Sequence, residues 1–456
     1  MCLHISTISA YAQEDENNAK RFKLYTYAPE VESSEFFSVS VNDQPCKTIS
    51  FTAADVAVFE MRKSVEISVK SLVTDIEKVD IRPKSADIKF KVSGNKIIFK
   101  LKKARNLSVE INGDIARPLF IFANKFEKQP PTKDDANVIF FEAGKVHDVG
   151  AVKLKSGDTL YVEGGAIVRG KVSTARAENI KIMGRGIFNA GHFQKGAGKI
   201  FEMGSIKNLL IKDLIGIDAT GWSCPLYGCD GVVIDNIKLV SNNIWDDGID
   251  VCRSKNVVVK NCFLRTRDDC IAIKGTLKGY KYCSDSYDVD NIEIRDSTFW
   301  NGNAGNGLEI GYETPSQTIS NIKFENIDLI HVETRPGNSS REATFTIHNG
   351  DRATVSNVLY KNIRVEDPTD WLIDFRIMNS RYTVDKQTRG KIENIRFEDI
   401  FVTSTMILQN SIEGFDDAHM VKNITIKNMI INGEKITDQS QLNLIKSHAE
   451  DLKFVE

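Results

Sequence analysis

A short pattern, Asn–aliphatic–x–apolar–x–Asn/Asp followed by an apolar or small residue, recurs through the second half of this 456-residue chain. Copies begin at Asn208 (NLLIKDL), Asn256 (NVVVKNC), Asn291 (NIEIRDS), Asn321 (NIKFENI), Asn357 (NVLYKNI), Asn394 (NIRFEDI) and Asn423 (NITIKNM). Gly231 (GVVIDNI) opens an eighth copy in which the asparagine is replaced. Successive starts lie 23 to 37 residues apart. A repeat of that period means stacked units, none of which can bury its apolar face alone. Apolar residues alternate within each copy, so the units are strands. The LxxLxL signature of leucine-rich repeats is absent, and a propeller blade would need four strands in roughly forty residues. A parallel β-helix fits, each coil resting on the last at the ~4.8 Å inter-strand spacing. The recurrent Asn and Asp then sit at turns, as backbone partners or amide ladders. The expectation is an all-β chain with a right-handed parallel β-helix over residues 133–456, of roughly nine or ten coils by extrapolation from the repeats.

Upstream the texture differs. Between Arg21 and Phe126, the segments FKLYTYAP, FFSVSVND, VEISVKSL, IKFKVSGNKIIFKLKKA and NLSVEING largely alternate apolar and polar residues. Ser93-Gly94-Asn95 marks the turn of a hairpin. Short strands at this spacing predict an N-terminal β-sandwich over residues 21–132, closed by the proline pair of KQPPTKDD as a linker.

Residues 1–20 read as a signal-like or disordered N-terminus: Ala10-Tyr11-Ala12 before Gln13 has the small-x-small form of a signal-peptidase site, although the apolar stretch before it is short and lacks a basic flank. Export to the periplasm or medium is expected. A formal charge of −2 supplies no field to draw in nucleic acid or an anionic membrane, and no apolar run reaches the roughly eighteen residues of a membrane span. Eight cysteines are too few to frame a chain of this length. Cys270 with Cys283 and Cys224 with Cys229 are candidate disulfide pairs, and the rest are expected as buried thiols. No CxxC pair occurs, His4, His147, His192, His331, His419 and His448 have no ligand spacing, and no metal or cofactor is implied.

A second set of strands lies between the repeats: DGIDVC from Asp247, DCIAIK from Asp269, NGLEIG from Asn306 and ATFTIH from Ala343. Stacked in register, Asp247, Asp269 and Asn306 form one column on three coils, with Asp268 at the same strand mouth. Carboxylates a coil apart repel, and one of them should hold its proton. Glycoside hydrolysis needs that combination of a protonated acid and an ionised base. The other readings of the three acids are a calcium site or solvated turn carboxylates.

These stretches resemble the polygalacturonase family (glycoside hydrolase family 28) and the related dextranase and isopullulanase family (family 49). Polygalacturonases carry N-T-D-G-x-D, then D-D-C-x-A-I, then G-H-G-L-x-I-G. Here the three read Trp245-Asp246-Asp247-Gly248-Ile249-Asp250, Asp268-Asp269-Cys270-Ile271-Ala272-Ile273, and Gly305-Asn306-Gly307-Leu308-Glu309-Ile310-Gly311, with Asp247 and Asp268 twenty-one residues apart. The resemblance covers Glu178 to Asn432; the preceding sandwich is similar to the dextranase arrangement. It implies that Asp268 is the general acid, that Asp247 and Asp269 hold and deprotonate water, and that the anomeric carbon inverts. An inverting pair stands ~6.5–9.5 Å apart, more than in-column neighbours allow, so the off-column Asp268 suits the acid.

Two departures bear on the substrate. Asn306 replaces the family histidine, and the Arg-x-Lys pair that holds a galacturonate carboxylate falls near Thr346-Ile347-His348, where neither cation stands. Arg335 or Arg341 could reach in from the loop. A neutral sugar or a non-pectin backbone is therefore expected as the poly- or oligosaccharide substrate. Asp250, Lys274, Asn306, Glu309, Tyr312, His348 and Arg376 are candidate substrate-binding residues, each weighed against surface exposure or packing. Tyr312 and Trp222 are also candidate stacking platforms. Competing functions are a polysaccharide lyase and a non-catalytic carbohydrate-binding solenoid.

Overall fold

The computed structural model describes residues 21–277, 280, 283–334 and 341–455. By internal contacts the chain forms two units. One runs to Thr132 and takes in Glu142–Val146 and Glu163–Ala166. The other comprises Lys133–Phe141, His147–Val162 and the chain from Ile167 onward.

The first unit contains two sheets, one of six strands and one of five. Phe37–Val41, Val65–Ser71 and Lys96–Leu101 follow the expected alternation, with Val39, Val41, Ile67, Val69, Ile97 and Phe99 buried in one core. Phe90–Ser93 pairs antiparallel with Lys96–Leu101 across Gly94 and Asn95, and Gly94 takes the positive φ of 55° that the tight turn needs. Alternation did not reveal Asp55–Met61 and Leu119–Lys125, parallel neighbours within the six-stranded sheet. Their Ala57, Phe59 and Ile121 face the core, yet Val56, Val58, Phe120 and Phe122 on the opposite face are buried as well. A strand buried on both faces reads as a continuous apolar run.

The second unit is the right-handed parallel β-helix. Each repeat strand pairs parallel with the next: Leu209 with Val232, Val232 with Val257, Val257 with Ile292, and so on through Ile424 with Leu452. Val138–Phe141, Thr159–Val162 and Ile167–Gly184 extend the ladder before Asn208, and Ala449–Val455 extends it after Asn423. Those four strands, added to eight repeats, make the helix longer than nine or ten coils. They escaped notice because none carries the complete motif: Asn179 opens NIKIMG with Gly184 in place of the second Asn/Asp, and Asp451 replaces the Asn in Ala449–Val455. Inside, aliphatic residues stack on aliphatic ones and Phe324, Tyr360 and Phe397 stack with centroids 5.0 and 4.8 Å apart.

The asparagines have a local cause. Every motif Asn from Asn208 to Asn423 adopts left-handed backbone, with φ between 53° and 59°, and Gly231 takes 74° in the copy that lacks Asn. The Asn/Asp five residues later is left-handed too, as in Asp213, Asn236, Asn261 and Asn326. Asn, Asp and Gly tolerate this region best, which explains the replacement at Gly231. The side chains then link coils: Asn256 Nδ2 donates to Asp230 Oδ1 at 2.7 Å, and Asn291 Nδ2 to Asn256 Oδ1 at 2.8 Å. Strand, left-handed corner and inter-coil bond thus come from one short motif.

Asn256 offers a test of the two contributions. Asn256→Ala forces a Cβ-bearing residue without a polar side chain into φ 53°, at a cost of roughly 1–2 kcal/mol, and removes two exposed bonds. Asn256→Gly removes only the bonds. Urea unfolding is expected to show a clearly larger loss for Ala than for Gly; equal losses would assign the whole effect to the amide ladder.

Candidate active site

The strands Cys224–Tyr227, Ile249–Cys252, Ile271–Lys274, Leu308–Tyr312, Ala343–Asn349 and Trp371–Ile377 form a second parallel ladder. Cys224, Ile249, Ile271, Leu308, Phe345 and Ile373 are successive partners. Backbone bonds carry this register to the strand mouths: Gly248 N donates to Asp269 O at 2.8 Å, Cys270 N to Asn306 O at 3.0 Å, and Gly307 N to Ala343 O at 3.0 Å. Asp247, Asp269 and Asn306 therefore stand in one column on successive coils.

Asp247 and Asp269 are almost wholly buried, whereas Asp268 is half-buried. Asp269 Oδ1 accepts from Asn306 N at 2.7 Å and Asn306 Nδ2 at 2.9 Å, while Asn306 Oδ1 accepts from Ala343 N at 2.9 Å. The Asn306 side chain is thus committed to bridging two coils. Burial, followed by the charges of Asp247 and Asp269, pushes the Asp268 carboxyl well above the ordinary carboxylate range. Burial, with Asp247 and Glu309, does the same to Asp269.

One cation serves this group. Lys274 Nζ lies 3.2 Å from Asp247 Oδ2 and 3.2 Å from Asp250 Oδ1, with the Trp222 ring centroid 4.2 Å away. Burial alone would lower the Lys274 pKa, but Asp247, Asp250, Glu313 and Asp269 outweigh it and hold the ammonium charged. Asp250 was expected at the surface or on a ligand; it is instead fully buried, and neither oxygen makes a well-aligned hydrogen bond among the described residues. Burial and the Asp247 charge push its carboxyl well above the usual range.

A second cluster adjoins the first. His348, fully buried, sits between Glu309 and Asp374: Nδ1 is 3.1 Å from Glu309 Oε1 and Nε2 is 2.9 Å from Asp374 Oδ2. Arg376 Nε donates to Asp374 Oδ2 at 2.8 Å, and the Tyr312 ring stacks on His348 at 4.3 Å. Burial would lower the His348 pKa, but Glu309 and Asp374 raise it to about 9. Neither Arg nor Lys stands at the Arg-x-Lys position; a buried histidine, His348, lies there between two carboxylates that raise its pKa. Glu309, also expected at the surface or on a ligand, is fully buried beneath it. Gly311 occupies the register position between Lys274 and His348 at φ 138°, where a Cβ would lie 2.2 Å from His348 O.

Two functional-looking residues escaped sequence reasoning. Asp246, at the Thr position of N-T-D-G, is fully buried; its Oδ1 accepts from Arg267 N and Asp268 N, each at 2.9 Å, and its Oδ2 from Asn243 N at 2.8 Å. It fixes the backbone of Asp268, and burial raises its pKa to about 6. Asp374 could have been found by extending the ladder to WLIDFRI, where it is the in-register partner of Thr346 and falls in the row of Asp250 and Glu309. Arg335 lies outside the described residues. Arg341 pairs with Glu413 and lies 5.0 Å from the Trp371 centroid.

The candidate disulfides are not formed: Cys224, Cys229, Cys270 and Cys283 are all free. Cys270 Sγ sits 3.3 Å from Thr266 Oγ1, whereas Cys283 Sγ sits 3.1 Å from Ser205 Oγ, and Cys229 Sγ lies against the Met203 and Tyr227 carbonyls. Closeness in sequence places residues on different coil faces, so it does not bring these thiols together. Among the described residues, no group of three or more His, Cys, Asp or Glu is arranged to hold a metal ion.

The fold and the carboxylate column define a class, the β-helix proteins with an acidic groove on one ladder. Within that class this chain belongs to the glycosyl hydrolases family 28, whose model matches residues 151–449. It is 33% identical over 165 residues to a probable endopolygalacturonase D of Neosartorya fischeri, covering 35% of this chain and 29% of that protein. It is 24% identical over 287 residues to a probable polygalacturonase of Arabidopsis thaliana, covering 61% and 59%. The chain thus spans less than two thirds of these relatives. In fold it is similar to Dex49A from Penicillium minioluteum, with a TM-score of 0.61 at 15% identity over 95% of this chain and 96% of that one. It is also similar to an exopolygalacturonase from Thermotoga maritima, with a TM-score of 0.52 at 15% identity over 70% and 84%.

The His348 pair makes stability depend on pH. A histidine whose pKa is raised by folding contributes stability fully below its unfolded value, near 6.5, and the contribution fades as pH rises through about 9. The maximum is on the order of 3 kcal/mol. Against a His348→Gln variant, wild type should lose its advantage progressively between those values in urea unfolding; a constant difference across that window would show that His348 is not charged in the fold.

Proposed function

We propose that the protein is an inverting glycoside hydrolase acting on a poly- or oligosaccharide, with Asp268 as general acid and Asp247 and Asp269 as the pair that deprotonates water. The observation that carries this reading is the contrast at one strand mouth: Asp268 is half-buried beside the column and its carboxyl is pushed well above the ordinary carboxylate range, while Asp247 lies buried against the Lys274 ammonium. In the reaction Asp268 gives its proton to the glycosidic oxygen as the bond to the anomeric carbon breaks. Water attacks the opposite face of that carbon and loses a proton to the Asp247–Asp269 pair. Asp246 positions Asp268 through its backbone, and Asn306 fixes Asp269. Family membership supports hydrolysis, and the endopolygalacturonase and polygalacturonase relatives support a polysaccharide substrate.

We further propose a neutral sugar or non-pectin backbone at the cleaved bond. Thr346 stands where a galacturonate-binding arginine would, the His348 charge is taken up by Glu309 and Asp374, and acids outnumber cations along the ladder. Periplasmic or secreted location is proposed from the small-x-small site at Ala10–Ala12. No helix among the described residues is long and apolar enough to cross a membrane.

Asp268→Asn keeps the shape but cannot donate a proton. Its turnover on the best polysaccharide from a panel should fall on the order of 10²–10⁴-fold, and the loss should shrink on an aryl glycoside whose leaving group needs no proton. Asp247→Asn should harm both substrates alike. Equal losses for Asp268→Asn on both would refute its role as acid, a first-formed product of retained configuration would refute inversion, and an ultraviolet-absorbing unsaturated product would mean lyase chemistry.

Unmodified polygalacturonate should be a poor substrate. Reducing-end assays over neutral and acidic polysaccharides test this directly, and turnover on polygalacturonate matching that on the best neutral glycan would remove the specificity proposal.

A further inference from the structure

Gly204, Tyr227, Cys252 and Lys274 are successive register partners, which puts Tyr227 one coil and Gly204 two coils before the strand that Asp247 opens. Aromatic rings fill that end of the ladder. From the acids outward, the Trp222 centroid lies 4.2 Å from Lys274 Nζ and 6.3 Å from the Tyr227 centroid. Tyr227 in turn stacks on Tyr280 at 4.2 Å, with the ring planes 8° apart. Lys199 clamps the series: its Nζ donates to Tyr227 Oη at 3.1 Å and Glu202 Oε1 at 3.0 Å, and lies 5.7 Å from the Trp222 centroid. Tyr227 is almost wholly buried, so packed rings occupy this stretch of the floor.

Tyr280 reaches this place from far along the chain. It follows the strand Ile271–Lys274, yet its ring rests three coils back on Gly204, where a Cβ would meet Tyr280 Cε1 at 2.1 Å. The chain just beyond it is tied to the same early coils. Ser205 Oγ accepts from Ser284 N at 2.8 Å and from Asp285 N at 2.9 Å, and Cys283 Sγ lies 3.2 Å from the Tyr227 carbonyl oxygen. A Cβ on Gly228 would lie 2.1 Å from Asp285 O, so this backbone also needs a glycine beneath it. Ring and backbone together hold the connection across the floor.

We propose that the Trp222–Tyr227–Tyr280 stack is an end wall that makes the enzyme select chain ends, so that it removes short saccharides from a terminus instead of cutting within the polymer. The proposal rests on the glycosidase reading and adds a mode of action to it. A glycan lying along the ladder passes over one coil after another. The Tyr227 strand stands one coil, about 4.8 Å, from the strand of Asp247. That side of the acids therefore has room for a chain terminus and none for a continuing polymer.

The test uses the whole protein and the polysaccharide of the panel that it turns over fastest, following viscosity, reducing ends and the size of the first products together. Wild type is expected to release short saccharides from the earliest time points, with little loss of viscosity for each reducing end formed. Tyr280→Ala removes the outer ring, and Gly204→Ala puts a methyl group where that ring rests, so both bare the outer face of Tyr227. The double variant Tyr227→Ala/Tyr280→Ala clears the floor. Viscosity loss per reducing end should rise in the single variants and rise several-fold in the double one, with longer saccharides among the first products. Tyr280→Phe keeps the stack and should match wild type. Thermal unfolding identifies the variants that fold, and those decide. Long first fragments and a steep viscosity loss from wild type overturn the proposal, as does a product pattern unchanged in the folded variants. Internal cutting by wild type removes the end wall and leaves the hydrolase reading; no turnover of any glycan in the panel removes both.

Discussion

Parallel register between coils is the constraint on which the rest of this molecule depends. A strand in the middle of the helix exchanges backbone hydrogen bonds with the coil below and the coil above, so a slip of one residue would turn every side chain to the opposite face. The left-handed asparagines hold that register from the side. They end the strand at a set residue and tie each corner to the next, as Asn256 does to Asp230 and Asn291 to Asn256. Because the corners are fixed, residues far apart in sequence meet on the other ladder. Asp247 and Asp269 stack there, although a whole repeat strand, Lys255–Lys260, lies between them in the chain.

The same rigidity makes like charges tolerable at close range. Asp247, Asp250, Asp268 and Asp269 crowd near a single ammonium, Lys274, and burial with mutual repulsion pushes Asp250, Asp268 and Asp269 well above the ordinary carboxylate range. A looser scaffold would relax by moving the carboxylates apart. Two polar groups prevent that here: Asn306, bonded to the coils on either side of it, and Asp246, whose carboxyl grips the backbone of Asp268. Preorganisation of this kind is where electrostatic stabilisation of a transition state comes from.

Much of this was legible in the sequence for a physical reason. The repeat states its own period, and alignment of DGIDVC, DCIAIK and NGLEIG by apolar positions reproduces the column, because a parallel ladder has only one register that buries Ile249, Ile271 and Leu308 together. Burial depth was the part that stayed hidden. Asp250 and Glu309 look like surface carboxylates when counted along a strand, and only the placement of Lys274 and His348 over them shows otherwise. Alternation also fails where both faces are covered, as in Asp55–Met61, and cysteine spacing says little when neighbours in sequence belong to different faces of a coil.

The uneven repeat length has an evolutionary corollary. Starts of the Asn motif vary from 23 to 37 residues apart while the ladders stay in register, so a long coil places its surplus residues both in longer strands, as in Thr318–Val332, and in the loops between them. Insertion and deletion in those loops can therefore rebuild the walls of the groove without disturbing its floor. A lineage of such proteins is free to explore new glycans one loop at a time, keeping its reaction chemistry while its appetite changes.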